Sequence, residues 1–300
     1  MTLVDDPGPW RWLLVIPLTV SFLLFALPQA YFIDASFHEN LGYGRIGDEW
    51  TLVNYVKIFT DPLYVGALFK TIGLAALSAS LCLILGFPVS YVIARMQSRT
   101  KSALIGLLVA AMFITPVVKD LGLIILLSQN GVVNQALLLT HLFKHPVQWL
   151  GSEAGVVVGL VHYTLPLIVL LLGTVISTVP RSLEEAAHVH GASRARVFYA
   201  VIIPIVKPGM IGATLMVFNL AMGAFTTPAL LGGGRVLTFA ILIQRSVILD
   251  VDYPFAASLS TILLVSVFCL NVLAAYLMLR QSRLRRAAPS PSAALVQKVA

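Results

Sequence analysis

Six long stretches of this chain carry no Asp, Glu, Lys or Arg at all: residues 12–33, 71–94, 102–118, 154–180, 208–234 and 254–279. An α-helix needs about 20 apolar residues to cross the roughly 30 Å hydrocarbon core of a bilayer. The runs are about that length. The third is short, but resumes past Lys119-Asp120 as residues 121–127. Membrane-spanning strands alternate apolar and polar residues over about 10 positions, whereas these runs are apolar throughout. They predict an all-α membrane protein with six transmembrane helices. Composition excludes a soluble alternative: 58% of residues are hydrophobic and only 11% charged, against about 25% charged in a soluble domain. The first run is longer than the apolar part of a signal peptide, about 7–15 residues, and no small-x-small cleavage site follows it. It reads as an uncleaved first span.

Lys and Arg orient the spans. One face receives Arg11, then Arg95, Arg99 and Lys101, then Arg181, Arg194, Arg196 and Lys207, then Arg280, Arg283, Arg285, Arg286 and Lys298. Only Asp5, Asp6, Glu184 and Glu185 join them there. The formal charge of +7 is therefore a difference between two sides of a membrane. It implies cytoplasmic termini and contact with anionic lipid headgroups, and it leaves no need for a nucleic-acid partner. The expected organisation is a cytoplasmic N-terminus at residues 1–11, a single membrane domain at 12–280, and a basic, disordered cytoplasmic tail at 281–300. The outside loops, 34–70, 119–153 and 235–253, are short for folded domains. Cys82 and Cys269 lie inside apolar runs and read as packing thiols, not as a metal site or disulfide framework. Gly232-Gly233-Gly234 lacks the Lys-Ser/Thr of a phosphate loop.

The cytoplasmic segment between spans four and five, residues 178–207, carries the densest signal. Ser182 followed by Glu185 is a capping-box pattern and predicts a short helix over 183–190. Gly191 can take a positive φ and end it. A second short helix is expected over 193–201, with Pro204 and Pro208 leading back into the membrane. A helix–Gly–helix elbow of this kind suits a partner's groove, or it lies flat as an interfacial amphipathic helix. His188 and His190 at i, i+2 point to different helix faces and read as solvated or partner-facing, not as metal ligands.

Glu185-Ala186-Ala187, three residues, Gly191, nine residues, then Val201-Ile202-Ile203-Pro204 resembles the EAA loop of binding-protein-dependent ABC permeases. Val201 and Ile203 replace the usual Ile and Leu, and His190 stands where Leu is common. Further segments are similar to the spermidine/putrescine-type permeases of the polyamine/opine branch. They are Asn54-Tyr55, Asp61-Pro62-Leu63-Tyr64, Gly86-Phe87-Pro88-Val89-Ser90-Tyr91, Leu126-Leu127, Asn130-Gly131, Asn134, Thr227-Pro228-Ala229-Leu230-Leu231-Gly232-Gly233-Gly234 and Tyr253-Pro254-Phe255-Ala257. The resemblance spans most of residues 12–280 and implies a type I ABC importer fold with a cytoplasmic coupling helix. It implies that Glu184, Glu185, Ala186, Ala187, Gly191 and Pro204 form the contact with a cytosolic ATPase: Glu185 pairing with a basic residue, the alanines allowing close approach, Gly191 making the elbow.

The same resemblance implies the partners: a pair of ATPase subunits that hold ATP and Mg, a second permease that is related but different, and an external solute-binding protein. The chain itself would bind no cofactor and do no chemistry, working by alternating access in a bacterial inner membrane. The branch carries polyamines, opines and related amino compounds. Relatives often have aromatic residues near Lys119-Asp120, which suit organic cations; here Leu121 and Leu123 stand. Lys119 and Asp120 mark either the outer membrane boundary or the translocation path, since ionisable groups in a span are costly unless paired or wetted. Asn219, Thr226 and Thr227 are polar candidates for the same path, or for contact with a neighbouring helix. An ion-gradient-driven secondary transporter is the rival reading; its repeated broken helices and buried charges are not evident. A membrane-embedded enzyme would need clustered acid, base or nucleophile, and the spans hold almost none.

Overall fold

A computed structural model describes residues 10–97, 99–140 and 143–287. Among them, α1 (Trp10–Ala35) is followed by β1 (His38–Asn40), β2 (Ile46–Trp50), α2 (Val53–Thr60), α3 (Pro62–Arg95), α4 (Arg99–Phe113), α5 (Pro116–Leu127) and α6 (Val132–Leu139). Then come α7 (Glu153–Ser177), α8 (Arg181–Val189), α9 (Arg194–Val197), a π-helical turn (Phe198–Ile202), α10 (Ile203–Met222), α11 (Thr226–Leu231), α12 (Phe239–Ile248) and α13 (Tyr253–Ala287). Six stretches of the described residues are long and apolar enough to cross a membrane: Val15–Ala35, Pro62–Arg95, Pro116–Leu139, Glu153–Ser177, Arg194–Met222 and Tyr253–Met278. The helical architecture follows the expectation, with one small hairpin added. Residues 1–9 and 288–300, which include most of both expected termini, lie outside the described residues. Helix α13 itself continues through the basic segment to Ala287.

Three spans depart from their expected bounds: the second starts at Pro62, nine residues early, the third candidate, Pro116–Leu139, runs into the expected outside loop 119–153, and the fifth is shifted. The third run is not one helix. Thr115 is extended, at φ −61° and ψ 149°, and Pro116 opens α5 at its first turn. A proline ring excludes the carbonyl four residues back and forces the preceding residue out of the helical region, so α4 stops at Phe113 although the apolar composition continues. The fifth span starts earlier and ends earlier than expected. From Arg194 to Met222 the path is helical without a break, so Pro204 and Pro208 lie within it and do not precede it. Ile203 N–H reaches back to Phe198 O across the π turn. This wider turn, placed just before Pro204, makes room for a ring that cannot donate. After Met222 the chain breaks at Gly223 and restarts as the short α11.

The chain divides into two compact units. The first comprises the described part of Met1–Gly66 with Leu242–Leu264. Its hairpin pairs β1 and β2 antiparallel, His38 opposite Trp50. The turn needs positive φ at Gly42 (88°), Tyr43 (49°) and Gly44 (74°), a geometry that glycine adopts freely. The hairpin is tied down by Asn54 Nδ2, which donates to His38 O at 2.8 Å, and by Phe37 stacked on Trp50 at 5.5 Å. Ser258 Oγ donates to Ser36 O at 2.9 Å, bringing the start of α13 to the end of α1.

The second unit comprises Ala67–Ile241 with the described part of Val265–Ala300. Helix α7 is its centre, with 56% of its most apolar window buried, more than any other span. Between lipid-exposed helices there is little hydrophobic driving force, so close packing and interhelical hydrogen bonds hold them. Both occur here. At Gly86 of α3 an added Cβ would meet Ile168 of α7 at 2.8 Å, and Ser90 Oγ donates to Val169 O at 3.0 Å. Gly209 of α10 packs as tightly on Val175. Cys82 is buried and lies 3.1 Å from Thr164 Oγ1, a packing thiol as expected. Cys269 is exposed on α13, unlike the expectation of a packed thiol, because that face of α13 has no neighbour among the described residues of this chain.

Candidate functional site

The elbow between spans four and five begins two residues before its expected start. Pro180 is the N-cap of α8, with extended backbone and no side-chain cap. Ser182 and Glu185 therefore lie inside the helix and form no capping box. Proline's fixed φ suits the entry to a helix, which moves the start to Arg181. The end is as read. Gly191 has φ 78°, Ala192 N–H donates to Ala187 O at 3.0 Å and Gly191 N–H to His188 O at 2.9 Å. This is the paired bonding of a Schellman stop. Ser193 then caps α9, accepting from Arg196 N–H at 3.3 Å.

What fixes the elbow in space is a residue pair that sequence reading missed. Arg95, at the C-terminus of α3, reaches Glu184 with Nη2 2.5 Å from Oε1. Neither of these two atoms makes an aligned hydrogen bond among the described residues, so the contact is an ion pair first. Tyr91 O–H donates to the other carboxylate oxygen at 2.7 Å. Arg95 Nη1 also donates to Val179 O at 3.1 Å, and Arg181 Nη2 returns a bond to Arg95 O at 2.6 Å. Phe198, in the π turn, packs edge-on against Phe87 and Tyr91 at 5.2 and 5.4 Å. Glu184 is thus turned inward. Glu185 and Ala186 face out, together with Leu183 and Val189, the last 85% exposed. Ala187 is half-buried, and His188 Nδ1 lies 2.9 Å from Ala192 O.

The second cluster surrounds Lys119 and Asp120, in the first turns of α5 just past the Thr115-Pro116 break. Both are buried, Lys119 at 9% and Asp120 at 1% exposure. Thr227 Oγ1 donates to Asp120 Oδ2 at 3.0 Å, linking α5 to α11. Gly159 of α7 lets α11 approach: an added Cβ there would strike Leu231 and Thr227 and lie 3.6 Å from Asp120 Oδ1. The Lys119 ammonium lies 5.6 Å from the centre of the Tyr163 ring. Beside these residues is a cavity of about 250 Å³, with Pro116, Tyr163, Thr226 and Thr227 in its wall and the Gly223–Phe225 break of the chain along one side.

The structure therefore gathers four of the five expected path residues: Lys119, Asp120, Thr226 and Thr227. The threonines open α11 and do not belong to the fifth span. Asn219 stands apart. Its amide pairs reciprocally with Asn271 of α13, at 3.1 and 2.9 Å. Arg95, Tyr91, Tyr163 and Asn271 were not singled out by sequence. The available signals were weak: an Arg closing an apolar span, and an Asn alone within one.

The family described as binding-protein-dependent transport system inner membrane component matches residues 86–285. The spermidine/putrescine transport system permease protein PotB of Escherichia coli is 30% identical over 248 residues, covering 82% of this chain and 90% of its own. The putative 2-aminoethylphosphonate transport system permease protein PhnU of Salmonella paratyphi A is 28% identical over 272 residues, covering 89% and 91%. A chain in the crystal structure of a bacterial ABC transporter involved in the import of the acidic polysaccharide alginate shares the fold, with TM-score 0.71 at 18% identity over 93% of this chain and 96% of that one. The fold is that of type I importer permeases. A transport component of this family is not an enzyme, the ion-gradient-driven alternative is not favoured, and a partner ATPase and binding protein are implied. The chain, a multi-pass inner-membrane protein, belongs to the binding-protein-dependent transport system inner membrane components and is the permease subunit of an ABC importer.

Proposed function

We propose that residues 181–202 are the coupling element that seats in a cleft of a cytosolic ATPase pair, which holds the ATP and Mg. The observation that carries this is the split between adjacent glutamates. Glu184 is held inward by Arg95 and Tyr91, while Glu185 projects from the same short helix one turn before exposed Val189, on the same face. One apolar and acidic face is left free on an otherwise anchored element, the arrangement of a helix-in-groove contact. Ala186 keeps the approach close, Gly191 sets the bend, and the helix through Pro204 carries the motion into α10. Cytoplasmic termini, the basic end of α13 among anionic headgroups, a second permease of related but different sequence, and an external solute-binding protein complete the reading. The relatives named for spermidine/putrescine and 2-aminoethylphosphonate transport support a small amino compound as solute, passing along Lys119, Asp120, Thr226 and Thr227 by alternating access.

The test is Glu185→Lys in the reconstituted importer. Losing one member of a desolvated charge pair at an interface costs about 2–5 kcal/mol. That corresponds to uptake and solute-stimulated ATP hydrolysis falling tenfold or more, with the chain still inserted. Uptake at the wild-type rate overturns the coupling role.

A further inference from the structure

We infer that the solute crossing this subunit carries an acidic group, a carboxylate or phosphonate, recognised by the Lys119 ammonium at the cavity beside the α10–α11 break. This rests on the permease reading and specifies its solute class. The carboxylate and the ammonium of the Lys119-Asp120 pair are not equivalent toward the cavity. Asp120 is engaged on the inner side, its Oδ2 accepting from Thr227 and its Oδ1 lying over Gly159. Lys119 is nine-tenths buried, yet among the described residues it has no carboxylate within ion-pair distance. It lies one helical turn behind Pro116, a wall residue, and over Tyr163, another. A largely buried lysine whose ammonium has no carboxylate in ion-pair contact is under-compensated, and an acidic group arriving in the cavity would add that contact. A diamine would meet the opposite situation. Its cationic groups would face a like charge in a poorly screened setting, and of the two aromatic rings in the wall that could hold them, Tyr163 already faces Lys119. The Thr226 hydroxyl of the wall can donate to either a carboxylate or a phosphonate.

The experiment uses the complete importer (this chain, its partner permease, the ATPase pair and the binding protein) in proteoliposomes. Labelled putrescine, 4-aminobutyrate and 2-aminoethylphosphonate serve as probes. The expected result is uptake of one or both acidic probes, falling about tenfold in Lys119→Gln and recovering in Lys119→Arg, as loss of a charge-assisted bond predicts. Uptake of putrescine alone overturns the inference. So does an acidic probe whose uptake is unchanged in Lys119→Gln, or lost equally in Lys119→Arg. If Lys119→Gln does not reach the membrane, the wild-type ranking of the three probes decides alone. Uptake of none of them also overturns it. In that case ATPase that still co-purifies with the chain leaves the permease reading standing, and ATPase that does not overturns both.

Discussion

The elbow at residues 181–202 and the cluster at Lys119-Asp120 both place charges against apolar helices, and they settle them differently. At the elbow the inward acid has its base: Glu184 meets Arg95, with Tyr91 and two backbone carbonyls completing the group. At the cluster only the acid is satisfied, by Thr227, and the base faces an aromatic ring. A charge paired within the chain fixes geometry and has little left to offer a partner. A charge without such a pair, or one projecting like Glu185, keeps its interaction energy for something that arrives later. The same residue types thus serve architecture in one place and recognition in another, and the partner decides which.

The sharpest way to break this contrast is Glu184→Ala. It leaves Arg95 largely buried with no carboxylate, and breaking a buried pair by removing one partner costs about 3–5 kcal/mol. Side-chain exposures of 16% and 14% reduce that toward about 2–4 kcal/mol. Thermal unfolding of the purified chain in detergent should show the loss. Exchanging the two, Arg95→Glu with Glu184→Arg, should recover much of it. If Glu185→Ala destabilises as much as Glu184→Ala, the elbow has no anchored and open sides.

Gly159→Ala sharpens the other half. The new methyl has to displace Thr227 and Leu231, and overpacking of this kind costs about 1–3 kcal/mol. Because Thr227 is the residue that holds Asp120, the expected outcome is double: a lower unfolding temperature and a shift in the uptake ratio between acidic and cationic probes. A drop in stability with an unaltered ratio would mean that the Asp120–Thr227 bond does not shape the path.

Sequence reading reached unevenly into these two regions. The count of six crossings was legible because bilayer thickness imposes long uncharged runs, but the place of the third, Pro116–Leu139, was not, since it carries Lys119 and Asp120. The end of the elbow was legible because Gly191 answers a backbone requirement at φ 78°. The start was misread because Ser182 and Glu185 have the right spacing for a cap, while Pro180, two residues earlier, sets the true entry. The break at Thr115-Pro116 was hidden by apolar composition that runs straight through it. The Tyr91–Glu184 contact joins positions 93 apart, and no local pattern announces such a bond. Arg95 looked like one more cytoplasmic charge in the count that set the topology. The identity of Glu185 as the outward acid came from resemblance alone; the structure supplies a physical reason, since its neighbour Glu184 is already engaged.

The smallest expected effect tests whether a neutral pair follows the logic of the elbow. Asn219 and Asn271 each donate to the other's carbonyl oxygen, and Asn271 also donates to Val267 O at 2.7 Å. Interhelical hydrogen bonds between membrane helices average about 0.6 kcal/mol, because the separated helices find other partners. Asn219→Leu should therefore cost about that much in unfolding free energy measured in mixed micelles. Asn219→Leu combined with Asn271→Leu should cost no more than the single change, since two apolar side chains leave no orphaned amide. Solute preference should not follow either variant, in contrast to Lys119→Gln. A change in the ranking of probes on Asn219→Leu would return Asn219 to the path, and would mean that a satisfied pair inside a span can still take part in recognition.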